Sequence, residues 1–192
     1  MYFGPVKAIA IFASGTGSNA QAIIKHFENH PSIKVALVLA NNPKARVIQI
    51  AHSNKIVSAI VSRSFMSNEE SMLRLLKALN IEFIALAGFM QLIPSFLVLE
   101  YSNRIINIHP ALLPKYGGKG MYGIKVHEAV LAAKETESGI TIHCVNEHYD
   151  EGKVILQAKT AIEETDTPES LSARVRQLEH WHYPRVIEKV LS

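Results

Sequence analysis

Five short apolar runs alternating with stretches of helical spacing limit what this 192-residue chain can fold into more than any other feature. The runs are residues 6–13, 33–40, 56–61, 82–87 and 104–109. Most are apolar nearly throughout, as strands covered on both faces should be. Between them Ala22, Ile23 and Phe27 recur at helical spacing, residues 45–54 do the same, and Met72, Leu73, Leu76 and Leu79 form an apolar stripe. Ser67 and Glu70 fit a capping box ahead of that stripe, and residues 94–101 make a further short helix. This order predicts an α/β, Rossmann-like domain: a mostly parallel central sheet flanked by helices, with right-handed crossovers.

The second half changes character. Residues 114–123 hold four glycines and read as a flexible loop, and residues 124–134 have helical spacing. Residues 139–145 alternate with period two, as does part of 153–162, and the short connection between them suits an antiparallel C-terminal hairpin. Thr167 and Pro168 make an N-cap and first helical position for a helix carrying Leu171, Val175 and Leu178. No repeat or linker interrupts the chain, so a single domain over 1–192 is expected. A net charge of +3 without a basic stripe indicates no nucleic-acid partner. The apolar run at 6–13 is too short for a membrane span and lacks a signal-peptide layout. The single cysteine, Cys144, suits a reducing compartment, so a cytoplasmic protein with no membrane partner is expected.

The first run leads into Ser14-Gly15-Thr16-Gly17-Ser18-Asn19, and residues 15–20 fit G-x-G-x-x-[GA] between a strand and a helix. Glycines let the backbone approach an anion, and a helix N-terminus supplies unpaired N–H groups. A dinucleotide site also wants Asp or Glu about 20 residues further on, where this chain has Asn41 and Asn42. The missing acid weakens a nicotinamide site and leaves a phosphate cradle intact, with a purely structural tight turn as the alternative.

The fifth run ends in Asn107-Ile108-His109-Pro110. Side chains two apart share a strand face, and Pro110 should end the strand. An amide and an imidazole are then presented at a strand's carboxyl end, where open parallel sheets bind ligands. Thr141 and His143 share one face of their strand, with Ile140, Ile142 and Cys144 on the other, and Cys144 is assigned to the core. Asp150 lies in the hairpin turn. An aspartate reaching His109 would raise its pKa toward neutrality, the range a general acid or base needs, and Asn107 would hold a carbonyl oxygen as charge develops. An Asn–His–Asp set without a nucleophilic Ser or Cys points to direct transfer of a carbonyl group to an amine or water.

His26 and His30 have a helix-compatible ligand spacing but no third ligand nearby, so they read as a solvated helix end, and His127, His148, His180 and His182 read likewise. No metal site is expected. Arg176 and Glu179 are three apart on one helix face; on spacing alone that face reads as solvated.

Five segments together resemble one family: Ser14-Gly15-Thr16-Gly17-Ser18-Asn19, Leu86-Ala87-Gly88-Phe89-Met90, Asn107-Ile108-His109-Pro110-Ala111-Leu112-Leu113-Pro114, Asp150-Glu151-Gly152 with Ile155-Leu156-Gln157, and Glu179-His180 with Tyr183-Pro184. Their order is similar to that of the phosphoribosylglycinamide formyltransferases, folate-dependent transformylases of purine biosynthesis, and they cover nearly the whole chain. The resemblance implies the formyltransferase fold and transfer of the formyl group of 10-formyltetrahydrofolate, a co-substrate, to the amine of glycinamide ribonucleotide. It implies that Asn107, His109 and Asp150 are catalytic. The backbone of Gly15, Thr16, Gly17, Ser18 and Asn19 would hold the phosphate with Arg176, and Glu179 the ribose. Phe89, Met90, Gln91 and Leu92, with Thr141 and His143, would border the folate pteridine. The family carries arginines where this chain has Gln91 and near Asn68, so Arg63 is the candidate substitute for the folate tail. Small-molecule partners and a monomer or homodimer follow.

Four alternatives stand beside this. Methionyl-tRNA formyltransferase is expected to need a further C-terminal domain and formyltetrahydrofolate hydrolase an N-terminal regulatory one. A nicotinamide-dependent dehydrogenase would want an acid at Asn41 or Asn42. A non-catalytic nucleotide-binding module leaves the polar set unexplained.

Overall fold

The apolar runs form β1 (Lys7–Ala13), β2 (Ile33–Ala40), β3 (Val57–Ile60), β4 (Ile81–Leu86) and β5 (Ile105–His109) in a computed structural model that describes residues 6–192. The first five residues of the domain expected over 1–192 lie outside the described residues. Helices α1 (Ser18–Phe27), α2 (Val47–Ser53), α3 (Arg63–Met66), α4 (Glu69–Ala78) and α5 (Ser95–Glu100) fill the connections. Beyond β5 come α6 (Ile124–Ala132), β6 (Glu137–Cys144), β7 (Val154–Ala161) and α7 (Pro168–Leu191).

The strands make one seven-stranded sheet in the order β3-β2-β1-β4-β5-β6-β7. The first five run parallel, and β6 and β7 add antiparallel, as the hairpin pattern predicts. Period-two alternation sends Ile9, Ile11 and Ala13 of β1 to one face and Ala8, Ala10 and Phe12 to the other, and both faces are covered. On the first face β1 packs with Ile23 and Phe27 of α1, Val126 of α6, and Leu171 and Ile187 of α7. On the second it packs with Met72 and Leu76 of α4 and Leu97 of α5.

Strand order reverses direction between β1 and β4. The loops leaving their carboxyl ends therefore diverge and open a crevice between them, the place where doubly wound sheets bind ligands. Backbone bonds fix its rim: Ala87 N–H donates to Phe12 O (2.8 Å) and Ser14 N–H to Gly88 O (3.0 Å). Among the described residues no helix is long and apolar enough to cross a membrane.

Two local expectations need correction. The capping box does not form: Ser67 closes the unanticipated α3 with helical dihedrals, whereas Asn68 is extended and its side chain accepts from Ser71 N–H at 2.8 Å. An N-cap must be extended to reach back to the first turn, which Ser67 is not. Cys144, the last residue of β6, is half-buried rather than core. The N-cap at Thr167 forms as expected, with Pro168 at the first helical position.

Candidate active site

The glycine turn is shaped by one left-handed residue. Gly17 has φ 76° and caps α1, and a Cβ there would lie 2.8 Å from Val47 Cβ. Only glycine meets both demands. No side chain caps α1 and its first turn holds no acid, so the leading N–H groups of the helix face the crevice with their dipole unopposed. Asn19 Nδ2 donates to Glu179 Oε2 at 3.0 Å, tying this helix start to α7. Burial lifts the Glu179 carboxyl to about 7, against the Asn19 hydrogen bond and the Arg176 charge, which lower it. Arg176 lies one turn away on α7, exposed, touching Ser172 Oγ at 3.4 Å and lining the same crevice.

The polar centre stands beside it. Asn107 and His109 project from β5, paired with His143 and Thr141 of β6 respectively. Asp150, in the left-handed region at φ 59°, turns its carboxylate back toward them. Its Oδ1 accepts from Asn107 Nδ2 at 3.3 Å, and its Oδ2 lies 3.5 Å from His109 Nδ1 and accepts from Gly118 N–H at 2.9 Å. Gly152 makes that return path possible, since a Cβ there would lie 1.7 Å from Cys144 O. His109 Nε2 donates to Tyr116 O at 2.7 Å, so Nδ1 is the nitrogen that faces the carboxylate.

His143 lines the same cavity and is tied into this network. With its Nδ1 donating to Cys144 O (2.8 Å), its Nε2 accepts from Asn107 Nδ2 at 3.2 Å and lies 3.6 Å from Asp150 Oδ1. Asn107 thus points its amide N–H groups at Asp150 and His143, and an incoming carbonyl oxygen must take one of them over. For Asp150, burial raises the carboxyl, yet the neighbouring His143 and His109 imidazoles and the Gly118 N–H together hold it below the usual carboxylate range. His109 departs from expectation. Burial lowers its pKa and outweighs the opposing pull of Asp150, because the ring is only 4 % exposed.

Cradle and polar centre open into one cavity of about 800 Å³, walled on the β4 side by Phe89, Met90, Gln91 and Leu92. Met90 and Leu92 present exposed apolar surface there, and Phe89 stacks edge-on against Phe12 at 5.5 Å. Thr141 is not part of the wall. Fully buried, it donates to Ala111 O (2.7 Å) and accepts from Leu113 N–H and Gln157 Nε2, so it anchors the segment after β5 from beneath. Arg63 on α3 does not reach the cavity either; the Lys and Arg side chains in its lining are Lys119 and Arg176.

Three histidines also depart from the solvated reading. His26 and His30 meet Glu188 of α7 at 2.6 and 3.5 Å, clamping α1 to α7. His127 is buried and lines the cavity. Its signal was its place beside Val126 and Val130 on the buried side of α6. Tyr116 O and Gly118 N–H went unseen because backbone groups carry no residue-type signal. Among the described residues, no cluster of His, Cys, Asp or Glu is arranged to hold a metal ion.

Comparison with known proteins gives consistent results. The formyl transferase family model matches residues 7–187. A phosphoribosylglycinamide formyltransferase of Bacillus subtilis is 38% identical over 191 residues, covering 97% of this chain and 95% of its own length. The chloroplastic enzyme of that name from Arabidopsis thaliana is 38% identical over 94% of the chain, which spans 64% of that protein's length. Among solved structures, phosphoribosylglycinamide formyltransferase from Bacillus halodurans superposes with a TM-score of 0.87 at 36% identity, covering 97% of this chain and 96% of that one. The chain belongs to the formyl transferase family.

Proposed function

We propose that this chain transfers the formyl group of 10-formyltetrahydrofolate to the amine of glycinamide ribonucleotide, a step of de novo purine biosynthesis. One observation carries the reading. The Asn107–His109–Asp150 group and the uncapped start of α1, with Arg176 and Glu179 beside it, open into a single cavity large enough for two small substrates. Residues 15–19 and Arg176 would take the phosphate, Glu179 the ribose hydroxyls, and Phe89 to Leu92 the flat folate ring. The names of the relatives point the same way.

In this reading the substrate amine forms a C–N bond to the formyl carbon, and the carbonyl π electrons move onto oxygen. Asn107 donates an N–H to that oxyanion, and His109 takes up positive charge beside it, stabilised by Asp150 at 3.5 Å. The proton lost by the attacking amine passes to His109, giving it that charge, and from His109 to the leaving folate nitrogen as its bond to carbon breaks. Burial lowers the pKa of His109 in the empty site, which favours return of the proton as the bond to folate breaks.

Following tetrahydrofolate release with and without glycinamide ribonucleotide tests this. Amine-dependent release is expected. Release that ignores the amine would mean hydrolysis, and no release under either condition would end the proposal.

A further inference from the structure

Among the described residues that line the cavity, His127 is the most deeply buried side chain with a polar atom left without a partner. It is 3 % exposed, its Nδ1 has neither accessible surface nor a hydrogen-bond partner among the described residues, and it lines the cavity from the second turn of the wall helix α6. Buried polar atoms are nearly always paired, and one left bare in the empty protein asks what pairs with it in use. Of the other nearby polar groups, His109 is engaged with Tyr116 O, His143 with Cys144 O and Asn107, and Glu179 with Asn19 Nδ2, while Asn19 Oδ1, on a less buried residue, is the other buried cavity-lining side-chain atom without a partner among the described residues.

Position narrows the chemistry. His127 lies within electrostatic reach of both Arg176 and His109, which belong to opposite ends of the proposed nucleotide path. Burial first, then the Arg176 and His109 charges, push its pKa down to about 4, so the ring is neutral at working pH. A neutral imidazole offers one N–H donor and one lone-pair acceptor. That is a poor match for a dianionic phosphate and a good one for an uncharged group that also carries one donor and one acceptor, an amide. In glycinamide ribonucleotide the group between the phosphoribosyl end and the reacting amine is a secondary amide.

We infer that His127 is a specificity-determining residue that hydrogen-bonds the amide linkage of the ribonucleotide substrate, fixing the distance between the phosphate cradle and the attacking amine. This rests on the proposed reaction. It predicts that the folate half of the site does not sense His127, and that a side chain keeping a neutral donor and acceptor replaces it.

The test compares wild type, His127→Gln and His127→Leu by calorimetric titration with glycinamide ribonucleotide alone and by steady-state kinetics with both substrates. His127→Leu is expected to weaken nucleotide binding about tenfold or more, equivalent to about 1.4 kcal/mol, with KM for 10-formyltetrahydrofolate changed less than about twofold. His127→Gln is expected to stay within about threefold of wild type on both. Unchanged nucleotide affinity in His127→Leu, or equal weakening toward both substrates, would overturn the assignment, as would a Gln variant as poor as the Leu one. Should His127→Leu fail to fold, His127→Ala gives the same comparison. The wild-type arm separates the two levels: wild type that neither binds nor turns over the nucleotide refutes the proposed reaction itself. Turnover with an indifferent position 127 refutes only the role of His127.

Discussion

The two halves of the cavity are built on opposite principles. The proposed cradle is one contiguous stretch, residues 14–19, built on backbone N–H groups and a left-handed glycine. The polar centre gathers side chains from β5, β6 and the loop at Asp150, and ties them to backbone groups at Tyr116 and Gly118. A local device can be damaged only locally. An assembled one fails as a unit, since each member holds its neighbours in place.

The sharpest way to break that contrast is Asp150→Asn. It removes the charge that faces His109 and His143 at 3.5 and 3.6 Å while keeping the shape. Turnover should fall roughly 10²–10³-fold, with nucleotide affinity measured by titration changed less than about threefold. Gly17→Ala attacks the other half. The new Cβ meets Val47 at 2.8 Å at a backbone angle that disfavours it, so the protein should lose about 1–3 kcal/mol in thermal or denaturant unfolding. Its KM for the nucleotide should rise more than kcat falls.

Legibility followed the same division. The parallel strands and the strand–turn–helix at Gly15 to Asn19 could be read because period-two burial and a glycine-spaced turn are written in consecutive residues. Asn107 and His109 could be read from their spacing on one strand. The Asp150 partnership could not be derived from spacing, because it depends on a chain reversal near Gly152 and on pairing between β5 and β6 across intervening elements. The pKa of His109 was misjudged for a related reason: neighbouring charge is visible in a sequence as a candidate partner, whereas the depth of burial is not. Thr141 shows the limit of strand alternation, which names a face but not whether that face meets the cavity or packs under a loop.

A smaller effect concerns Glu179, held to about 7 by burial. A ribose diol donates to the carboxylate form, so KM for the nucleotide should rise as pH falls below about 7, roughly tenfold per unit. Glu179→Gln should flatten that profile. In the empty protein the sign reverses. The group's pKa is 4.5 in a free chain and about 7 when folded, so the folded state holds the extra proton and stability declines as pH rises through that window. Unfolding midpoints from pH 4 to 8, compared between wild type and the Gln variant, check this.

The smallest effect is expected at Glu188, away from both halves. Its hydrogen bond from His26 chiefly depresses its carboxyl below the ordinary value, with His30 adding to that and slight burial opposing it. Whatever it contributes is therefore present above the unfolded value and lost as pH falls through the folded one. The pair is partly solvated, so Glu188→Gln should cost less than about 1 kcal/mol and leave kcat unaltered.

A double-mutant cycle on amine-dependent tetrahydrofolate release addresses the assembled centre most directly, using His109→Asn, Asp150→Asn and the pair together. If imidazole and carboxylate act as one unit, the double variant should be no more than a few-fold slower than the worse single one. Losses that multiply would mean that the two groups contribute independently, and would contradict the account.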